Sequence, residues 1–199
     1  MAKAFFIIDV QNDFCEGGSL ACNGGAKAAA DITAYLREVQ GEAQSPSVSK
    51  YDYVIASRDW HDAHNDNGGH FAHDGEAPDF VNSWPVHCVA GSTGGDYHAN
   101  LDASLIDFHI QKGQGKPAYS IFEGNTPEGE TLPALLERLG VTEVDVAGIA
   151  TDYCVLASAL DAKDSGLSVT VLPELCAGVA AESSAAALDK LRWVGVSVS

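Results

Sequence analysis

Short apolar runs alternate with helical patterns along this chain, and that alternation limits the fold more than any other feature. Residues 4–10, 53–57, 106–111, 144–149 and 168–172 are rich in branched and aromatic side chains, as buried strands of a parallel sheet are. Between them, residues 25–39 are Ala-rich, with Ile32, Tyr35, Leu36 and Val39 on one helical face. Helical patterns also run over residues 132–139, 152–164 and 181–193, and a short last strand fits 195–198. Strands interleaved with helices predict an α/β fold, a parallel sheet covered by helices on both faces. A length of 199 residues suits one domain over 1–199 with room for a core.

Two stretches fall outside this alternation. Residues 41–50, "GEAQSPSVSK", read as a surface linker, being rich in Ser with one Pro. Residues 58–100 hold six of the seven histidines and two of the three tryptophans, in a length rarely left without regular structure unless it is functional. The Gly-rich "GSTGGD" inside it lacks the lysine and helix of a phosphate loop and reads as a turn.

Charge and cysteine usage exclude several classes. Eleven basic against 28 acidic residues give a formal charge of −17, with no basic footprint for nucleic acid. No apolar run approaches the roughly 18 residues of a membrane span, and "AFFIIDV" lacks the basic head and cleavage site of a secretory signal. Five cysteines at 15, 22, 88, 154 and 176 form no paired motif, which points to free thiols in a reducing cytoplasm.

Ligands of open α/β sheets bind beyond the carboxyl ends of the strands. The expected strand ends carry a notable set there: Asp9 and Asp13, then Asp59 and His61, then Lys112, then Cys154. Asp9 interrupts an apolar strand, so it needs a cation, a donor or a proton. It reads either as half of a structural ion pair or as a general base of raised pKa, and Lys112 can partner it in both cases. Cys154 follows "TD" at an expected helix start, where Thr151 or Asp152 can cap and free N–H groups favour a thiolate. A lone cysteine is more often packing than chemistry, but a base and a lysine at neighbouring strand ends favour a nucleophile. Asp59-x-His61 projects a carboxylate and an imidazole to one side of an extended chain. With His64, His70, His73 and His87 nearby, a mixed Asp/His set suits zinc, iron or manganese better than calcium. Phe14 and Trp84 could hold a flat ring between them, or simply pack.

Taken in order, "DVQNDF", "RDWH", "GGHF", "SWPVHC", "QKG", "AYSIFEG" and "GIATDYCV" resemble the nicotinamidases of the isochorismatase-like cysteine hydrolase superfamily, over residues 2–180. The resemblance implies a Rossmann-like sheet and an Asp9, Lys112, Cys154 triad, with Ala150 and Cys154 as oxyanion donors. It implies one divalent transition metal ion (Zn, Fe or Mn) on Asp59, His61, His70 and His87. Phe14, Trp84 and Tyr119 would contact the substrate, and a cis peptide would fall at Ile149–Ala150. The implied reaction converts nicotinamide, and also pyrazinamide, to its acid and ammonia through a thioester, in NAD salvage. Other small amides or ureido compounds, or a non-catalytic metal-binding role, are the alternatives. Tyr153 stands where relatives often carry histidine, His64 and His73 are extra imidazoles near the metal group, and Lys116 lies just past the matching lysine.

Overall fold

A computed structural model describes residues 1–40, 49–73 and 75–199. Most of the linker expected over 41–50 therefore lies outside the described residues. Six parallel strands form one sheet: β1 (Ala2–Ile8), β2 (Tyr53–Asp59), β3 (Phe108–Lys112), β4 (Val141–Ile149), β5 (Ser168–Ala177) and β6 (Ser197–Val198), in the order β3-β2-β1-β4-β5-β6. The order reverses between β1 and β4, and a crevice opens beyond the strand ends at such a reversal.

The helices are α1 (Gly25–Gln40), α2 (Leu132–Leu139), α3 (Leu156–Asp164) and α4 (Ala181–Trp193). Successive residues of β1 alternate between two cores. Phe5 and Ile7 join Ile32 and Leu36 of α1 on one face, while Phe6 and Ile8 join Leu132, Leu135, Ala159 and Leu191 on the other. Local chemistry sets the helix ends. Glu16 accepts the Gly24 and Ala26 N–H groups at the start of α1. Thr131 caps α2, and Gly140 at φ 66° ends it.

The β2–β3 connection contains no α-helix among the described residues. Its Leu101 is buried against the α1-side core, with Leu105 and Ile106 packed beside it, so a loop does the work of the missing crossover helix. Among the described residues, no helix is long and apolar enough to cross a membrane.

Three boundaries differ from the sequence expectation. β1 stops at Ile8, so Asp9 lies just past the strand, in left-handed backbone at φ 47°. β5 continues through Pro173 to Ala177, and its pairing with β4 slips between Val146 and Gly148, which accommodates the proline. Residues 151–155 form one wide turn, closed by the Val155 N–H on the Ala150 carbonyl at 3.1 Å, and α3 begins only at Leu156.

Candidate active site

Lys112 organises the carboxyl edge of the sheet. It closes β3, is fully buried, and lies 2.9 Å from Asp9 with a close contact to Asp59. Its Nζ is also 3.8 Å from the Cys154 Sγ. The register explains the meeting: Lys112 lies opposite Asp59 in the β2–β3 pairing, and both face the same side as Ser57. The Ser57 hydroxyl donates to Asp9 at 2.7 Å. Cys154 comes from the far side of β1, and close strand approach brings it in. Gly148 sits at φ 126°, and a Cβ there would fall 2.1 Å from the Ile8 carbonyl oxygen, so no other residue fits. The Ile149–Ala150 peptide that follows is cis, at the bond expected from the sequence.

One lysine between two buried carboxylates splits their behaviour. Burial would raise Asp59, but Lys112, with hydrogen bonding to His61 and His87, more than offsets it and holds Asp59 well below the usual carboxylate value. Burial also raises Asp9, and there Lys112 offsets it only in part, so Asp9 ends above its usual value. Burial would discharge Lys112, yet Asp59 and Asp9 keep it charged, well above the ordinary lysine value. Divergent carboxylates of this kind separate a fixed anion from a proton carrier.

The thiol behaves differently from the sequence expectation. Burial pushes Cys154 well above the ordinary cysteine value, with only partial relief from Lys112 and further upward pressure from Asp9. The resting sulfur therefore carries its proton, hydrogen-bonded toward Asp9. Neither Thr151 nor Asp152 caps this turn. Asp152 instead accepts the Val179 and Ala180 N–H groups and the Ser183 hydroxyl at 3.0, 3.3 and 2.5 Å, so its carboxylate caps α4.

Beside Asp59, the ligand-capable atoms of His61, His70 and His87 lie within 4.8 Å of one another, all buried. His61 Nδ1 pairs with the Gly113 carbonyl at 2.8 Å and His87 Nδ1 with the Pro85 carbonyl at 2.7 Å. Each Nδ1 then carries the proton, which leaves Nε2 with a lone pair. His61 Nε2 is buried without a hydrogen-bond partner, and the Nε2 atoms of His61 and His87 sit 3.6 and 3.8 Å from Asp59. Burial and the neighbouring His61 and His87 push His70 down to about 3, keeping it neutral. Neutral imidazoles, an ionised carboxylate and an orphaned buried nitrogen together fit a divalent transition metal ion.

A pocket of about 430 Å³ joins the two groups, reaching Cys154 and Ala150 on one wall and Asp59, His70 and His87 on another. Phe14, Trp84 and Tyr119 also line it, and the Trp84 indole N–H donates to the Tyr119 hydroxyl at 3.1 Å.

Several sequence candidates lie elsewhere. Asp13 accepts the Cys88 N–H at 2.7 Å and ties loops together, outside the site. His64 and His73 line a separate surface pocket with Asp66, not the imidazole group, and Lys116 is exposed. Two supporting residues had no sequence signal. Ser57 looked like strand packing. Gln11 grips the Asp59 backbone from both sides, its Nε2 donating to the Asp59 carbonyl and its Oε1 accepting the Asp59 N–H, each at 2.8 Å. A polar residue in an apolar strand was the clue available for Ser57.

Comparison with known proteins agrees with this geometry. The chain is 46% identical over 194 residues to nicotinamidase/pyrazinamidase of Mycobacterium tuberculosis, covering 98% of this chain and 96% of that one. A solved pyrazinamidase of Pyrococcus horikoshii, in complex with zinc, superposes with TM-score 0.80 at 30% identity, covering 100% and 99% of the two chains. An L. infantum protein in complex with nicotinate also gives TM-score 0.80, at 33% identity and 100% and 92% coverage. The Isochorismatase domain model matches residues 3–199, and the chain belongs to that family of α/β hydrolases.

Proposed function

We propose that this protein hydrolyses nicotinamide to nicotinic acid and ammonia, and pyrazinamide likewise, through a thioester on Cys154. One observation carries the reading: a buried thiol, a lysine 3.8 Å from it, and a carboxylate of raised proton affinity share one pocket wall with three neutral imidazoles.

Asp9 accepts the Cys154 proton as the sulfur attacks the amide carbon, so the charge burial disfavours exists only during the reaction. The backbone N–H groups of Ala150 and Cys154 donate to the oxygen that gains charge; each such donor is typically worth about 3–4 kcal/mol. Asp9 then passes its proton to the departing nitrogen as the C–N bond breaks, releasing ammonia. Water enters, Asp9 takes its proton, hydroxide opens the thioester, and the proton returns to sulfur. Lys112 stays charged throughout and holds Asp9 in place. Asp59, His61, His70 and His87 would hold one divalent transition metal ion, a Lewis-acid template for the pyridine nitrogen. Phe14, Trp84 and Tyr119 would enclose the ring. The same reading takes residues 1–199 as one amidohydrolase domain of the cytoplasm, feeding NAD salvage.

The test is ammonia release from nicotinamide by metal-loaded protein. Cys154→Ala should abolish turnover while still binding nicotinic acid in calorimetry. Substantial turnover by that variant would sink the nucleophile assignment.

A further inference from the structure

A ring held at the thiol and at the imidazoles has its remaining edge toward the other pocket residues, among them Leu20, Cys22, Tyr153 and Val179. Tyr153 is the largest of these four, and its neighbours hold it. Its ring meets Trp84 edge-on, centroids 5.2 Å apart at 90°, and stacks on Tyr119 at 6.4 Å and 26°. Trp84 and Tyr119 are hydrogen-bonded to each other, so the three rings form a closed brace. The backbone is pinned as well. The Tyr153 N–H donates to the Ala150 carbonyl at 3.1 Å, the next turn closes on the same oxygen, and Asp152 is fastened to the start of α4 by three hydrogen bonds. Tyr153 is thus a wall of the pocket and not a swinging lid.

We propose that Tyr153 is a specificity-determining residue, a fixed aromatic stop that admits an unsubstituted six-membered heteroaromatic amide and excludes rings bearing an alkyl group on the edge facing it. This rests on the amide-hydrolase reading above. A close-packed wall resists extra methylenes because its neighbours would have to leave their rotamers. The pinned turn gives Tyr153 no backbone route aside. One methyl group in an apolar pocket is commonly worth roughly 10- to 200-fold in discrimination.

The experiment compares kcat/KM for nicotinamide and for its 5-methyl and 6-methyl derivatives on metal-loaded wild type, Tyr153→Phe and Tyr153→Ala. Calorimetric binding of the corresponding nicotinic acids runs in parallel. Wild type should prefer the unsubstituted ring over at least one methyl isomer by about tenfold or more. Tyr153→Phe should keep that preference. Tyr153→Ala should lose most of it through improved kcat/KM and tighter binding of the methylated ring. Should Tyr153→Ala fail to fold, Tyr153→Leu, which keeps apolar bulk without the ring, should relax the preference in the same direction. Equal loss on every substrate in the folded variant, or wild type indifferent to both methyl groups, overturns the proposal. If wild type neither turns over nicotinamide nor binds nicotinic acid, the hydrolase reading fails first and the proposal falls with it.

Discussion

Replacing Ser57 by alanine tests the proton-carrier role of Asp9 more directly than replacing Asp9 itself. The Ser57 hydroxyl donates to Asp9 Oδ1 at 2.7 Å inside a fully buried cluster, and it is one of the contacts holding the carboxyl's proton affinity down. A hydrogen bond to a charged acceptor contributes roughly 1.5–3 kcal/mol. Desolvation already raises Asp9, so losing this donor raises it further. If the whole contribution favours ionised over protonated Asp9, proton affinity rises about ten- to hundredfold. A general base must be deprotonated in the free enzyme, so the acidic limb of the pH profile of kcat/KM moves upward by the same factor. The assay is ammonia release across pH, below saturation, on metal-loaded Ser57→Ala and wild type. The variant should be slow at acidic pH and recover most of its rate as pH rises past the displaced limb. A limb that stays put, or moves to lower pH, refutes the reasoning. A uniform loss at every pH would assign Ser57 to packing alone.

Three further outcomes follow from the geometry. Gly113 at φ 84° would place a Cβ 2.6 Å from the His61 ring, so Gly113→Ala should lower bound metal in elemental analysis, with far-UV circular dichroism unchanged; full occupancy would contradict it. Asp145, buried in β4, pairs with Lys3 at 2.8 Å and Lys50 at 3.2 Å and accepts the Tyr51 hydroxyl at 2.6 Å. These partners outweigh burial and hold Asp145 below the usual carboxylate value. Its contribution is therefore present above the unfolded value near pH 3.9 and lost as pH falls through the lower folded value. In urea unfolding, Asp145→Ala should be about 1.5–3 kcal/mol less stable at pH 7, a gap that narrows as pH falls below about 4. A gap independent of pH would assign the effect to lost packing.

The parts of the molecule legible in the sequence are those that repeat along the chain. Buried parallel strands must be apolar on both faces, so β1, β2, β4 and α1 could be read directly, and reading their ends gathered Asp9, Asp59, Lys112 and Cys154. What could not be read depends on register between distant strands. Ser57 meets Asp9 only because β2 pairs with β1 as it does. Asp152 caps α4, not its own turn, because the β5–α4 loop happens to lie over it. The left-handed backbone of Asp9 is likewise invisible in "IIDV", since aspartate tolerates both conformations. The thiol's resting protonation was misjudged for a related reason: the helix start suggested relief of charge, while complete burial proved the larger effect.

The loop between β2 and β3 carries His61, His70 and His87 and then lays Leu101, Leu105 and Ile106 over the core where a crossover helix would otherwise sit. One stretch of chain therefore answers to two masters. Its first half is free to vary only as far as three imidazoles stay convergent, and its second only as far as the sheet remains roofed. Lineages descended from such an architecture can exchange residues at the pocket mouth, but they cannot shorten this segment without exposing β-sheet to water. Innovation in substrate choice is thereby channelled into side-chain replacement, and length change is left to other connections.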